Sequence, residues 1–388
     1  MKILHCSKII GIAGSENYLL NILPALLKAK IQIEFLSIVP FNEKGSEIIF
    51  NKKLEEKGVK VHTLYYNIYF PLTLCLLIYQ LIKKRKIEIV HSHLIHADFF
   101  IAFTKYLFKG DYKIVSTKHG YEESYNNKFG FDSSFKKKDF YWRIAKWSEK
   151  RVHKSFAISN GLKQLYIGLG ICKASKLDLI HYGFNFPKID NSDNSLRFSE
   201  NQLVIVGRLT EFKGHRYLID IISILKDRVC DFKLIIVGSG HLEMKLKDLV
   251  RSKNLTKFVT FLGYKSNGRD YMANSDIVLI PSRAEGFGVV VLEAMSVKKP
   301  IIAFNVPSLN ELIENEKTGY LIAPYNIELY AKKIEQLINN PEKRNEISNN
   351  AHKKLKEYFC LERMLKETIS FYESLLYPPK TQSNNKNS

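Results

Sequence analysis

Two glutamates, Glu285 and Glu293, stand eight positions apart where an apolar run gives way to a helical pattern. Gly286 and Gly288 follow the first glutamate directly. Carboxylates accept hydrogen bonds from sugar hydroxyls, and the free N–H groups at a helix start bind phosphate oxygens. The spacing therefore predicts a site that holds a long ligand at two points. Taken alone, the spacing is better explained by the ordinary preference of acidic side chains for the first turn of a helix.

Two cations, Arg208 and Lys213, lie in a second glycine-bearing loop that begins at Gly207 and ends at Gly214. The loop follows an apolar run that we predict to be a strand. An arginine fork and a mobile lysine charge suit a diphosphate, although a solvated turn with two surface cations gives the same pattern. No Asp-x-Asp pair follows a predicted strand, so we expect protein cations and helix dipoles, rather than Mg²⁺, to balance a bound diphosphate.

The N-terminal half offers two further candidates at predicted strand ends. Gly14 and Ser15 open a helical pattern, which favours anion binding, but no dinucleotide fingerprint is present. His119 follows another strand, and we expect its ring to project into a cleft, where it donates to phosphate or moves a proton. A histidine at a strand end also serves structural hydrogen bonding, and that interpretation stays open.

Three more histidines, His91, His93 and His96, cluster at the end of one predicted strand. Histidine is a common zinc ligand, so the three residues could form a zinc site. No acidic or cysteine ligand with fitting spacing accompanies them, so we predict no metal site.

Short, β-branched apolar runs alternate with helical patterns along the whole chain. Near-continuous apolar strands of this kind form parallel sheets that are covered on both faces. The predicted strands are Ile3–Cys6, Ile31–Ile38, Val59–Leu64, Glu88–His91, Lys113–Thr117, Ser155–Ile158, Leu177–His181, Gln202–Val206, Lys233–Val237, Val259–Leu262, Asp276–Ile280, Ile301–Phe304 and Tyr320–Ile322. The fold class is therefore α/β, with two doubly wound domains.

A polar stretch without apolar periodicity separates the two sets of strands. We accordingly predict an N-terminal Rossmann-like domain over 1–186, a linker over 187–200 and a C-terminal domain over 201–360. A last helix over 361–377 is expected to pack back on the N-terminal domain. The polar tail over 378–388 is expected to be disordered.

Composition narrows the class of protein. Of 388 residues, 45% are hydrophobic and 25% charged, which is typical of globular proteins. Five scattered cysteines indicate reduced cytoplasmic thiols, and neither a signal peptide nor a membrane span is predicted. The net charge of +20 is uneven, with 29 basic against 15 acidic residues in 1–186 and 30 against 24 in the remainder. A basic surface of this kind attracts anionic lipid, phosphorylated ligands or nucleic acid, and a lysine-rich solvated surface is an equal alternative.

The ordered set of motifs resembles glycosyltransferase family 4, whose members have the GT-B fold of two Rossmann-like domains facing across a cleft. The resemblance covers most of the chain. It is carried by Ala13-Gly14-Ser15-Glu16, His119-Gly120, Gly207-Arg208…Lys213-Gly214, Val237-Gly-Ser-Gly240, Val259-x-Phe261-x-Gly263, Glu285-x7-Glu293 and Glu311 with Thr318-Gly319. The family usually has glycine where this chain has Ala13, and often has glycine shortly before the position of Glu311, where this chain has Pro307-Ser308-Leu309-Asn310.

The resemblance implies a retaining hexosyltransferase that uses a nucleotide-diphosphate sugar and needs no metal or other cofactor. Catalytic roles fall on His119 and Glu285. The implied donor-binding residues are Gly14, Ser15, Arg208, Lys213, Glu285, Gly286, Phe287, Gly288, Val289 and Glu293. Among them, the two cations would neutralise the diphosphate, Glu293 would accept from the ribose, and Glu285 would hold the sugar hydroxyls.

The acceptor side is predicted from a basic amphipathic pattern over Lys136 to Lys154 that contains two tryptophans. Such a helix lies on an anionic membrane interface, or else packs its apolar stripe into the N-terminal domain. We hypothesise a lipid-linked or cell-surface glycan acceptor and peripheral attachment to the inner face of the membrane. Two alternatives stay open: a different GT-B enzyme, such as a nucleotide-sugar 2-epimerase or phosphorylase, and a basic nucleic-acid-binding protein, for which no RNA motif was found.

Overall fold

Apolar, β-branched runs form the strands of two separate parallel sheets. The computed structural model describes residues 1–12, 14–67, 71–120, 140–189 and 194–377. Thirteen strands lie within these residues, and each coincides with a predicted run to within a few positions. They are β1 Lys2–Lys8, β2 Gln32–Pro40, β3 Lys60–Tyr66, β4 Ile89–His93, β5 Lys113–Lys118, β6 Lys154–Ala157, β7 Leu177–Leu179, β8 Gln202–Val206, β9 Lys233–Val237, β10 Val259–Gly263, β11 Ile277–Ile280, β12 Ile301–Phe304 and β13 Tyr320–Ile322.

Helices connect the strands and cover both faces of each sheet. In the first half they are α1 Gly14–Lys28, α2 Ile48–Glu55, α3 Pro71–Arg85, α4 Leu94–Phe108, α5 Phe140–Glu149 and α6 Asn160–Gly168. In the second half they are α7 His215–Leu225, α8 Glu243–Ser252, α9 Gly268–Ala273, α10 Val289–Ser296, α11 Leu309–Leu312, α12 Ile327–Ile338, α13 Pro341–Tyr358 and α14 Leu361–Leu376.

Strand order places the predicted site residues at one edge of each sheet. The first sheet has the order β3-β2-β1-β4-β5-β6-β7, and the second has β10-β9-β8-β11-β12-β13. Each order reverses direction at one point, between β1 and β4 and between β8 and β11. In open parallel sheets, ligands bind beyond the carboxyl ends of the strands at such a reversal. The loops that carry Gly14, Arg208 and Glu285 leave from three of these four strands.

The predicted basic helix over 136–154 ends earlier in the structure. Helix α5 begins at Phe140 and ends at Glu149, and β6 already starts at Lys154. The helix ends there because Ser148 and Glu149 turn inward: both are buried, and Glu149 accepts a hydrogen bond from Ser155 at 2.8 Å. Residues 136–139 and the tail over 378–388 lie outside the described residues.

The last helix, α14, lies against the first sheet and not the second. It packs on α1, and the hydroxyl of its fully buried Tyr372 lies 2.6 Å from His91 Nδ1 on β4. The chain thus crosses between the domains twice. The two crossings touch, since the N–H of Phe184 donates to the carbonyl of Phe359 at 2.9 Å.

The carboxylate of Glu311 joins the two domains near the cleft. Glu311, on α11, accepts hydrogen bonds from the backbone N–H groups of Asn160 and Gly161 at 2.7 and 2.8 Å. These N–H groups open helix α6 of the other domain, where a negative charge is favoured. His181 Nε2 approaches the same carboxylate at 2.9 Å. Burial opposes the ionisation of Glu311, but these hydrogen bonds outweigh it and lower its pKa.

Serine hydroxyls extend the same interface to the loop of Gly286. Ser159 donates to the Gly286 carbonyl at 2.7 Å, and Ser308 donates to Ser159 at 2.9 Å. Ser308 has φ 74°, in the left-handed region that favours glycine, and this conformation carries strain. Its buried hydroxyl compensates through these hydrogen bonds. The interface therefore binds the donor-side loop directly to the N-terminal domain.

We predict that Glu311→Gln favours separation of the two domains without unfolding either of them. The amide loses the negative charge and one of the two acceptor oxygens, and hydrogen bonds to charged groups contribute about 1.5–3 kcal/mol. The radius of gyration from small-angle X-ray scattering should rise relative to the wild-type protein. Glu314→Gln is the matched control, because Glu314 is half-exposed and pairs with Lys354 within its own domain. Equal radii for all three proteins would contradict the prediction.

Candidate functional site

A lysine and a glutamate from different loops meet at the centre of the predicted donor site. Lys213 Nζ lies 2.6 Å from Glu285 Oε1, although the two residues are 72 positions apart in the sequence. Ser282 donates to the same oxygen at 2.8 Å. The lysine is half-buried and the glutamate buried, so the pair is partly shielded from water. The arrangement places a cation for phosphate beside an acceptor for hydroxyl groups.

Close backbone packing supports the loop that carries Arg208. Gly238 has φ +143°, and a Cβ atom there would lie 1.9 Å from the Gly207 carbonyl oxygen. At Gly240 a Cβ atom would lie 2.4 Å from the Leu209 carbonyl oxygen. Only glycine permits this approach. The Val237-Gly-Ser-Gly240 motif thus fixes the position of the loop backbone relative to β9. The side chain of Arg208 remains exposed in this loop.

The loop from Glu285 leads into α10 through two glycines. Gly288 precedes the helix with φ 96°, and a Cβ atom there would lie 2.7 Å from Leu309. The first N–H groups of a helix have no acceptor within it, so those of Val289 and its successor are available to a ligand oxygen. Phe287 is buried, and its ring packs edge-on against Tyr182 of the other domain. The aromatic contact holds the helix mouth in the cleft.

Glu293 lies about one turn into α10 and has an unusual ionisation. Burial raises the pKa of this carboxyl group to about 7, and the positive charges of Arg269 and Lys213 reverse the effect only in part. At neutral pH the group is therefore divided between its charged and neutral forms. A ligand that donates hydrogen bonds to the carboxylate favours the charged form.

The predicted phosphate loop of the N-terminal domain is open to solvent. Gly14 begins α1, and a Cβ atom on it would meet nothing within 4 Å. Ser15 donates to its neighbour Glu16 at 3.0 Å. Ala13, which takes the place of a family glycine, lies outside the described residues. The structure thus leaves space beside Gly14 at the carboxyl edge of the first sheet.

His119 lies at the cleft, but its ring does not project freely into it as expected. Its Nε2 atom is 2.8 Å from His93 Nδ1, and its Nδ1 atom contacts the hydroxyl of Tyr182. Burial, with a smaller effect from the positive Lys118, lowers the pKa of the ring to about 3. What His119 turns toward the donor loop is its backbone: a Cβ atom on Gly286 would lie 2.9 Å from the His119 carbonyl oxygen.

A buried lysine holds the strand end from which His119 extends. Lys118, the last residue of β5, lies 2.9 Å from Asp98 and 2.8 Å from Glu149. Burial disfavours the cation, but the two carboxylates outweigh it and raise the pKa of Lys118. Removing one partner from such a group leaves a buried charge uncompensated, which is strongly destabilising. The ion triad therefore fixes the position of His119.

The histidine cluster differs from the one that the sequence indicates. His91 and His93 are joined by His5 from β1, while His96 lies apart, near Tyr141. The sequence did not indicate His5, because a lone histidine inside an apolar strand carries no spacing pattern that links it to the other two. Ring nitrogens of the three clustered residues lie within 4.8 Å of one another, a spacing compatible with a metal ion. Every one of these nitrogens is engaged in a hydrogen bond within the protein.

The tryptophans of α5 contact the protein. Trp147 packs against Phe99 and Phe103 of α4, and Trp142 Nε1 donates to the carbonyl of Leu169 at 2.9 Å. The aromatic stripe thus packs into the N-terminal domain, the alternative that the sequence left open, and membrane contact stays a prediction. Within the described part of the chain, no helix combines the length and apolar character that crossing a bilayer requires.

Two family models match adjacent parts of the chain. "Glycosyltransferase Family 4" matches residues 12–186, and "Glycosyl transferases group 1" matches residues 188–354. An uncharacterized glycosyltransferase of Haemophilus influenzae is 35% identical over 176 residues, covering 45% of this chain and 50% of the relative. The capsular polysaccharide biosynthesis glycosyltransferase CapM of Staphylococcus aureus is 27% identical over 236 residues, covering 57% and 61%. The matched region thus spans half to three-fifths of these relatives.

The fold also has a solved counterpart. The crystal structure of Anabaena HepE in complex with UDP superposes with a TM-score of 0.77 at 20% identity, covering 96% of this chain and all of HepE. Two parallel-sheet domains facing across a cleft confirm the GT-B fold that the sequence predicts. With the two family models, which together match residues 12–186 and 188–354, they show that the chain has the GT-B fold and is similar to the glycosyltransferases of family 4 over most of its length.

Proposed function

We propose that this enzyme is a retaining glycosyltransferase that moves a hexose or N-acetylhexosamine from a nucleotide-diphosphate sugar to an acceptor hydroxyl. The acceptor is a glycan or a lipid-linked sugar in the synthesis of cell-surface polysaccharide. The contact between Lys213 and Glu285 carries the proposal, because it joins a phosphate-binding cation to a sugar-binding carboxylate at the mouth of α10. The UDP bound to HepE supports the donor class, and the role of CapM in capsular polysaccharide biosynthesis supports the pathway class.

The residues of the site suit departure of a diphosphate. The bond between the anomeric carbon and the phosphate oxygen breaks, and negative charge grows on that oxygen. Arg208, Lys213 and the N–H groups at the start of α10 stabilise this charge, as preorganised donors do in other enzymes. The acceptor hydroxyl attacks the same face of the sugar and passes its proton to the departing phosphate oxygen. We propose that no metal ion takes part.

Close contacts between the two domains beside the donor loop favour transfer over hydrolysis. The backbones of Gly286 and His119 approach each other closely, and Phe287 seals the adjoining space against Tyr182. Water that entered here would attack the donor and waste it, so exclusion of water is a requirement of the reaction. Glu285 holds the donor-sugar hydroxyls beside this contact, with His119 bordering it from the opposite domain.

A cavity of about 220 Å³ beside His119 supports placing the acceptor on the N-terminal side. Apolar side chains from α4, α5 and α6 form most of its wall, including Leu94, Ala145 and Leu165. Leu94 has φ 67°, an uncommon conformation for a branched residue. A cavity of this kind suits the apolar face of a sugar or a lipid-proximal group.

We place the enzyme in the cytoplasm, peripherally on the inner face of the membrane. All five cysteines are free, which fits a reducing compartment. The excess of basic residues in 1–186 favours contact with anionic lipid. A nucleic-acid partner is not part of the proposal.

A donor screen tests the reaction directly. Release of a nucleoside diphosphate from one sugar donor should exceed that from all the others and should continue in the presence of a chelator. Lys213→Ala and Glu285→Ala should each lower kcat/KM by about 10²–10³-fold, because each removes a group that binds the reacting end of the donor. Lys247→Ala is the matched control, since Lys247 forms a half-exposed ion pair with Glu243 in the same domain, away from the donor loops.

The screen also has outcomes that count against the proposal. Full activity in both site variants would remove the assigned roles of Lys213 and Glu285. Loss of turnover in chelator would contradict the metal-free mechanism. Inversion at the anomeric carbon, seen by NMR of the product, would contradict retention.

The ionisation of Glu293 predicts a pH-dependent affinity for nucleotides. Ribose hydroxyls donate to the charged carboxylate, so binding requires the form that dominates above pH 7. The Kd of the preferred nucleoside diphosphate should therefore rise as pH falls from 8 to 6, by at most about tenfold per pH unit because one proton is linked. Calorimetry on Glu293→Gln supplies the control: the nucleotide's own titration remains, and the extra pH dependence should disappear. An identical pH profile for both proteins would sink the assignment.

A further inference from the structure

Buried histidines connect the cleft to the C-terminal helix through an unbroken series of hydrogen bonds. At the cleft end, Tyr182 contacts His119 Nδ1, and His119 Nε2 lies 2.8 Å from His93 Nδ1. His93 Nε2 lies 2.9 Å from His5 Nδ1. His5 Nε2 in turn lies 3.3 Å from the hydroxyl of Tyr372 on α14.

The series continues beyond the helix and ends inside the first sheet. The Tyr372 hydroxyl lies 2.6 Å from His91 Nδ1, and His91 Nε2 lies 2.7 Å from the hydroxyl of Thr117. Thr117 and the three histidines His5, His91 and His93 have no exposed surface. We call the four histidines, with Tyr182, Tyr372 and Thr117, the histidine chain.

All four rings of the histidine chain are neutral. Burial lowers the pKa values of His5 and His119 to about 3, and it lowers those of His91 and His93 well below the usual range. A neutral imidazole has one N–H donor and one acceptor nitrogen. Each ring must therefore donate to one neighbour and accept from the other. Only two arrangements of protons satisfy the whole chain, and they run in opposite directions.

The contact distances select one of these two directions. A phenol O–H is a strong donor, and the shorter contact of Tyr372 is with His91 at 2.6 Å rather than with His5 at 3.3 Å. If Tyr372 donates to His91 Nδ1, it accepts from His5 Nε2–H, and the order of every other bond follows. In this direction the hydroxyl of Tyr182 donates to His119 Nδ1, with which it is in close contact.

We propose that the histidine chain holds His119 as its Nε2–H tautomer, with Tyr372 on α14 as the positioning residue that sets the direction. His119 then donates inward to His93 and accepts from Tyr182. Its ring is fixed by two hydrogen bonds, and its carbonyl group is thereby held against Gly286 at the cleft. The chain acts as a lock and not as a proton channel, since its far end at Thr117 is enclosed.

Nitrogen NMR of the histidine-labelled full-length protein tests the proposal. Long-range ¹H–¹⁵N spectra distinguish the protonated from the unprotonated ring nitrogen, and single His→Gln variants assign the signals. In the wild-type protein, His5, His91, His93 and His119 should all show protonated Nε2 and unprotonated Nδ1. The measurement needs no substrate, so it stands or fails independently of the proposed glycosyl transfer.

Two conservative variants test the direction. In Tyr372→Phe, the His5 Nε2–H group loses its acceptor, and a buried donor without a partner is costly. The protons of His5, His93 and His119 should therefore shift together toward Nδ1. In Tyr182→Phe, His119 should stay protonated at Nε2, while its Nδ1 signal moves because the donor is gone. Tyr377→Phe is the control, since Tyr377 directly follows the same helix but is exposed.

Several results would overturn the proposal. An Nδ1-protonated His119 in the wild-type protein would reverse the direction. A Tyr372→Phe spectrum that matches the control at His119, in a variant shown to be folded by circular dichroism, would remove the role of Tyr372. Stoichiometric zinc in the purified protein, with loss of these signals, would replace the hydrogen-bonded chain by a metal site.

Discussion

The approach of two backbones across the cleft is the constraint on which the site depends. Gly286 faces the carbonyl oxygen of His119 so closely that no side chain fits between them. This contact brings the mouth of α10, which belongs to the second sheet, against a strand end of the first sheet. The same two surfaces are also joined by hydrogen bonds, from Ser159 to the Gly286 carbonyl and from the Asn160 N–H group to Glu311. Without this approach, the donor-side residues of the second sheet would not face the N-terminal domain at close range.

The two sides of the cleft achieve rigidity by different means. On the C-terminal side, glycine replaces side chains, so that the loops of Gly207 and Gly238 rest directly on each other. On the N-terminal side, buried polar groups saturate one another, as in the triad around Lys118 and the hydrogen bonds of His119. Buried polar networks of this kind stabilise one arrangement only when every member is satisfied. Both devices leave the ligand-facing groups preorganised.

Much of the fold could be predicted because its signal is local. Apolar β-branched runs indicate strands wherever both faces of a sheet are covered, and all the predicted runs form strands. The loops at strand ends could also be assigned to the cleft, since parallel sheets direct their carboxyl ends to one edge. The helix over 136–154 was predicted too long, because charged residues beyond Glu149 continue the helical pattern while tertiary contacts end the helix.

Contacts between distant residues were beyond the reach of the sequence. The distance between Lys213 and Glu285 depends on how two loops of one sheet pack, and no periodicity encodes it. The partners of Glu311 lie about 150 positions away in the other domain. The inward rotation of His119 depends on His93 and Tyr182, which the strand pattern places nearby without fixing any ring. Side-chain chemistry could be anticipated at these positions, but its orientation could not.

The two adjacent crossings of the chain near Phe184 and Phe359 limit how the halves of the molecule can move. A single connecting segment would allow one domain to rotate about it in any direction. Two connecting segments that are hydrogen-bonded side by side act as a hinge and permit rotation mainly about one axis. The two domains then open and close along one path, so that the same pair of surfaces meets after every turnover.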